Sequence, residues 1–84
     1  MSSNPRLIWK LPQVLRAEGI SVYRLVGVLS GRVSRTTLYS WVWQAPHRPD
    51  TATLAWVLWG LRKLTGKPYG VQDLLEYAEG GEDA

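Results

Sequence analysis

Glycine and proline divide the chain into five segments, and in each the hydrophobic residues recur at helical spacing with no sustained strand-like alternation. The first lies within residues 7–18. Leu7, Ile8, Leu11 and Leu15 fall at i, i+1, i+4 and i+8, with Val14 beside them. Pro12 places the start of the regular helix at its own turn, and Gly19 is a natural left-handed stop. The second segment opens after Ser21, a good N-cap, turns Leu25, Val26 and Leu29 inward, and ends near Ser30 and Gly31. The third opens after Ser34 and has Leu38, Trp41 and Val42 as its apolar side. A Pro-His-Arg-Pro loop at residues 46–49 follows. The fourth begins after Asp50, whose charge suits the positive end of a helix. Its stripe is Leu54, Val57, Leu58, Leu61 and Leu64, closed by Gly66 and Pro68. The fifth, about residues 71–78, presents Val71, Leu74, Leu75 and Tyr77. The pattern predicts an all-α, compact five-helix domain over residues 7–79, with a flexible arm at 1–6 and a flexible acidic tail at 80–84.

Composition narrows the class. With 84 residues and 45% hydrophobic content, the chain suits one small globular domain. It has no cysteine, which excludes disulfides and thiolate-bound zinc and suits a reducing compartment. The longest apolar-rich stretch, residues 52–61, falls well short of the roughly 20 residues of a membrane span. No signal pattern opens the chain, so a cytoplasmic protein is expected, associated with the nucleoid if it binds DNA. The net charge of +3 conceals an asymmetry: all ten basic residues lie within 1–72, against two acids, Glu18 and Asp50. The remaining five acids fall in the last twelve residues, with no base among them. A basic body with an acidic tail suits either a polyanionic partner or a solvated surface with a solubilising tail.

The informative stretch is Ser21-Val-Tyr-Arg-Leu-Val, a break at Gly31, then Ser34-Arg-Thr-Thr-Leu-Tyr-Ser-Trp. Two short serine-capped helices lie close together. Leu38, Trp41 and Val42 would pin the second to the body, which turns Arg35, Thr36, Tyr39, Ser40 and Trp43 to the opposite side. Arg35 has the fork that reads guanine O6 and N7, or it contacts phosphate. Thr36 and Ser40 can hydrogen-bond several bases. Tyr39 can reach a base edge or a phosphate, or pack its ring beside helix two. The base-reading set is therefore Arg35, Thr36, Tyr39 and Ser40, with Trp43 at its rim. Ser21 and Ser34 mark helix ends that can receive phosphates. Arg24, Arg32, Gln44, His47 and Arg48 add charge or donors around them.

These segments resemble the lambda repressor/Cro-type helix-turn-helix regulators, the XRE class, over most of the chain. The resemblance is carried by Leu15-Arg-Ala-Glu-Gly-Ile-Ser-Val-Tyr-Arg-Leu, Val33-Ser-Arg-Thr-Thr-Leu-Tyr, Arg48-Pro-Asp-Thr-Ala-Thr-Leu and Asp73-Leu-Leu-Glu-Tyr, in that order. It implies a lambda repressor-like five-helix bundle and a transcriptional regulator, expected to repress. It also implies a homodimer on a pseudo-palindromic double-stranded operator, with helix three in the major groove. The resemblance makes helix five, with Leu74, Leu75 and Tyr77, a candidate dimer surface. The chain departs from the family in two places. Val26 replaces a small residue, and the connection between helices two and three is about two residues long of the usual. Val22, at a position that often contacts DNA in the family, has no hydrogen-bonding side chain.

The chain has five tryptophans and no phenylalanine. Trp9 and Trp41 fit a core. Trp56 and Trp59 lie off the helix-four stripe and, with Lys63, define a second face. They either pack under helix five or the N-terminal arm, or form a dimer or partner interface. The second choice gives an alternative function, a protein-interaction or antitoxin-like subunit. An enzyme is not expected: there is no cysteine nucleophile, no histidine partner for a serine, and no Gly-rich phosphate loop. His47 is the only histidine and lacks a second ligand, so neither a metal nor a cofactor is expected.

Overall fold

A computed structural model describes residues 5–79, in the order β1 (Pro5–Trp9), α1 (Leu11–Glu18), α2 (Val22–Val28), α3 (Arg35–Trp43), α4 (Thr51–Thr65), α5 (Val71–Leu74) and β2 (Leu75–Glu79). Five helices occur where five were expected, but the all-α class is wrong. β1 and β2 form an antiparallel ribbon, with Pro5 opposite Glu79, Leu7 opposite Tyr77 and Trp9 opposite Leu75. Leu7 and Ile8, read at helical spacing, lie instead in a strand; α1 begins at Leu11, in the turn of Pro12 as expected, and the predicted fifth helix is a single turn. Pro5 and Arg6, assigned to an arm, are strand residues; the rest of that arm and the 80–84 tail lie outside the described residues.

Local chemistry sets the helix ends. Pro12 sits in the first turn of α1, and Gly19 closes it at φ 66°, a conformation that costs glycine little. The Gly19 and Ile20 amides donate to the carbonyls of Arg16 and Leu15. Ser21 Oγ accepts from the Arg24 amide at 3.1 Å, and Asp50 Oδ2 from the Thr53 amide at 2.8 Å. The short α5 is held by Asp73, whose carboxylate accepts from the Gly70 amide at 2.8 Å. It stops at Leu74 because the backbone beyond it pairs with β1.

Leu11, Leu25, Leu29, Leu38, Val57, Leu61 and Leu74 are fully buried and draw on all five helices and the α2–α3 turn. α4 lies against α2 at Gly60, where an added Cβ would come within 3.1 Å of both Leu25 and Leu29. Glycine at that position lets the two backbones approach. No helix among the described residues is long and apolar enough to cross a membrane.

Trp9 joins the ribbon to the helices. Its indole stands edge-on to Trp41, with centroids 5.5 Å apart and planes at 84°. Its Nε1–H donates to the Trp41 carbonyl at 2.7 Å. That carbonyl belongs to the last turn of α3, where no intrahelical donor is available. Beside it the Lys10 amide donates to the Leu74 carbonyl at 2.7 Å. A further long-range tie is polar: Glu18 at the end of α1 accepts from Lys67 Nζ at 2.8 Å and from the Tyr69 hydroxyl.

Two predictions follow from these ties. Trp9→Phe keeps a ring but leaves the Trp41 carbonyl without its donor, so stability should fall by about 1–2 kcal/mol in denaturant unfolding. An unchanged midpoint would show that the hydrogen bond contributes nothing. The second concerns pH. The hydrogen bonds from Lys67 and Tyr69 hold the Glu18 carboxyl below its ordinary value of 4.5. A depressed native pKa contributes stability above about pH 4.5, lost as pH falls through the native value. The same contact pushes Tyr69 up to about 12 from 10, so its contribution is lost as pH rises between those values. Glu18→Gln should flatten both limbs of a stability–pH curve; a curve that keeps both limbs would exclude this contact as their cause.

Candidate nucleic-acid interface

α2 and α3 are joined by six residues, 29–34. This turn is packed rather than loose: Leu29 is fully buried and Val33 is 9% exposed. Gly31 takes φ 81° between them, and the Arg32 and Val33 amides both donate to the Leu29 carbonyl. The added length is thus a turn with its own apolar anchors. Ser34 then caps α3, its Oγ accepting from the Thr37 amide at 3.1 Å while its hydroxyl donates to Thr37 Oγ1 at 2.8 Å.

α3 divides as its spacing predicts. Leu38 and Trp41 are buried and Val42 is half-buried. Arg35, Thr36 and Ser40 are exposed, and Tyr39 is half-buried. Trp43, one turn beyond Tyr39, is 78% exposed. The first-turn amides of Arg35 and Thr36 have no intrahelical acceptor, as at any helix start. An open hollow of about 390 Å³ at this end of α3 is lined in part by Ser30, Arg32, Ser34 and Arg35. Outside α3, Ser21 and Arg24 are exposed at the start of α2, and Gln44, His47 and Arg48 are exposed along the loop that follows α3. Tyr23, 75% exposed in the first turn of α2, was not among the residues chosen from the sequence. Its only signal there is an aromatic ring two places after a capping serine.

The electrostatics of this side follow from where the acids are used. Glu18 is engaged by Lys67 and Tyr69, and Asp50 caps α4 through both the amide and hydroxyl of Thr53. Those hydrogen bonds from Thr53 also lower the Asp50 pKa. Both acids of the basic body are therefore committed. Among the described residues the salt bridges are Lys10–Glu76 and Lys67–Glu18, and neither involves Arg24, Arg32, Arg35 or Arg48. Among the described residues those four guanidinium groups have no acidic partner within salt-bridge distance.

Arg32 is placed differently from the other arginines. Its guanidinium carbon lies 5.1 Å from the Trp56 ring centroid and 5.2 Å from that of Trp59. The two indoles meet edge-to-face at 5.3 Å and 84°, and Lys63 Nζ lies 5.5 Å from Trp59. Both rings are half-buried. Of the residues considered for helix five, Leu74 is fully buried in the core and has no surface for a second copy. Leu75 is half-buried at the base of the ribbon, and Tyr77 is 61% exposed, opposite the 62% exposed Leu7.

Comparison with known proteins gives no match among family models, curated proteins or solved structures.

Replacing Ser34 tests the start of α3. Ser34→Ala should cost about 1 kcal/mol in chemical unfolding, and Ser34→Asp should recover most of it. Three variants of equal stability would remove the cap from this description.

Proposed function

We propose that this chain is a sequence-specific double-stranded DNA-binding protein of the helix-turn-helix kind, with α3 as its major-groove helix. The observation that carries this reading is the division of α3. Leu38 and Trp41 fix its back to the core, while Arg35, Thr36 and Ser40 stand exposed, and Arg24, Arg32, Arg35 and Arg48 have no salt-bridge partner among the described residues. A helix with one face pinned and the other polar is what base reading requires, since base contacts need fixed side chains and phosphate contacts need free charge. In this reading Arg35 and Thr36 read bases, with Ser40 and the edge of Tyr39 a turn further on. Ser21, Arg24, Ser34, Gln44, His47 and Arg48 orient the duplex through its phosphates. The wider proposal is a small transcriptional regulator, a repressor by resemblance, acting in the cytoplasm as a dimer on a pseudo-palindromic site.

A second reading is a protein-interaction or antitoxin-like subunit that uses the Trp56/Trp59 face. It rests on the part of those indoles that stays exposed. Oligomeric state and partner binding on a Trp59 variant discriminate it from the first.

Selecting bound duplexes from a random library tests the first reading. An enriched, two-fold symmetric site is the expected result; recovery of random sequence would end the claim of specificity. On the enriched duplex, Arg35→Ala should weaken binding by about 1–3 kcal/mol and relax preference at one base pair of each half-site. Unchanged affinity would take Arg35 out of the base-reading set.

A further inference from the structure

The stack of Arg32 on two tryptophans joins elements that the helix-turn-helix alone leaves separate. Arg32 sits in the α2–α3 turn, two residues before the Ser34 cap. Trp56 and Trp59 belong to α4, which packs on α2, whereas α3 packs on α1 and α2. The guanidinium therefore reaches from the entrance of α3 to a different helix. Between Arg32 and the cap lies Val33, 9% exposed, so little slack separates the stack from the first turn of α3. On the other side of Arg32 is Gly31 at φ 81°, the left-handed residue that turns the chain.

Charge alone would not hold Arg32 there. It has no acidic partner among the described residues, and Lys63, a like charge, lies over one of the same rings. The attraction comes from the ring faces, which draw a weakly hydrated planar cation more readily than a compact ammonium.

We infer that Arg32, through its stack on Trp56 and Trp59, is a positioning residue that fixes the direction of α3 for base reading, rather than a phosphate ligand. The inference rests on the DNA-binding reading and adds a mechanical part to it. Leu29 and Val33 anchor the turn on either side of Arg32, and the stack adds a hold at Arg32 itself that ties the entrance of α3 to α4. The tryptophan pair then acts from α4, through Arg32, on sequence preference without touching DNA.

The test uses the full chain, the duplex recovered by selection and a random duplex of equal length. Arg32→Gln, Arg32→Lys, Trp59→Leu and the Arg32→Gln/Trp59→Leu double variant are compared where unfolding curves show all of them folded. Trp56→Leu replaces Trp59→Leu should the latter fail to fold. Each of Arg32→Gln and Trp59→Leu should lower the selected-to-random affinity ratio by about three- to tenfold, and the double variant by no more than about the larger single loss. Arg32→Lys should recover only part of the ratio. The dependence of log affinity on log salt should stay as in the parent. A phosphate ligand behaves otherwise: Arg32→Gln would weaken both duplexes alike and reduce the salt slope by about 0.9, while Trp59→Leu would have no effect. That result overturns the inference. A second readout separates its failure from failure of the DNA reading. In amide NMR spectra without DNA, Arg32→Gln and Trp59→Leu should shift the same first-turn resonances of α3, those of Arg35 to Leu38. First-turn resonances that stay in place overturn the strut even where DNA binding is intact. Shifted resonances in a protein that prefers no duplex keep the strut and reject the DNA reading.

Discussion

The hydrogen bond from the Trp9 indole to the Trp41 carbonyl is the constraint around which the two parts of this molecule are organised. A helix ends with carbonyls that have no donor of their own, and burying one without a partner costs free energy. Here the donor comes from a residue thirty-two positions earlier, in a strand that exists because β1 and β2 pair although they lie near opposite ends of the sequence. A two-stranded ribbon is marginal by itself. Its anchorage is Trp9, which packs edge-on against Trp41 while satisfying its carbonyl, so one side chain holds both the ribbon and the end of α3. The same helix is capped at its start by Ser34 and buried along its back through Leu38 and Trp41. Its other side, with Arg35, Thr36 and Ser40, is left exposed, and Trp43 stands exposed at its end.

Packing and charge then work in one direction. Gly60 lets α4 approach α2 closely, which brings Trp56 and Trp59 within reach of the turn that leads into α3. The acids of the basic body are spent on holding the fold: Glu18 ties the end of α1 to the segment after α4, and Asp50 caps α4. What remains around α2 and α3 is a set of guanidinium groups without counter-charges in the described structure. A surface of that kind suits the polyanionic partner we propose for it. The helix it surrounds carries side chains that can discriminate among base pairs.

Much of the helical fold and of the candidate site was legible in the sequence, because both depend on local signals. Ser21, Ser34 and Asp50 mark helix starts, and each caps through its side chain; Gly19 and Gly66 mark stops, and each takes a left-handed φ. The spacing of Leu38 and Trp41 fixed which side of α3 faces out. The strands were not legible for the opposite reason. Leu-Glu-Tyr-Ala-Glu is a run of adequate helix formers, and Pro-Arg-Leu-Ile-Trp is too short for its period to be read. Each becomes a strand only because the other lies beside it, more than sixty residues away in sequence. The place of Arg32 was hidden similarly. Its position in the turn was clear, but its partners lie on a helix that begins nineteen residues later.

The central claim is that α3 is the surface that meets DNA. A titration of the isotope-labelled protein with a duplex recovered by selection, followed in amide and indole NMR spectra, tests it most directly. The account predicts the largest shifts at Ser34 to Ser40, smaller ones at Ser21 to Arg24 and around His47 and Arg48, and little change at the ribbon. Shifts centred on the exposed ribbon residues Leu7 and Tyr77, with α3 unmoved, would contradict it.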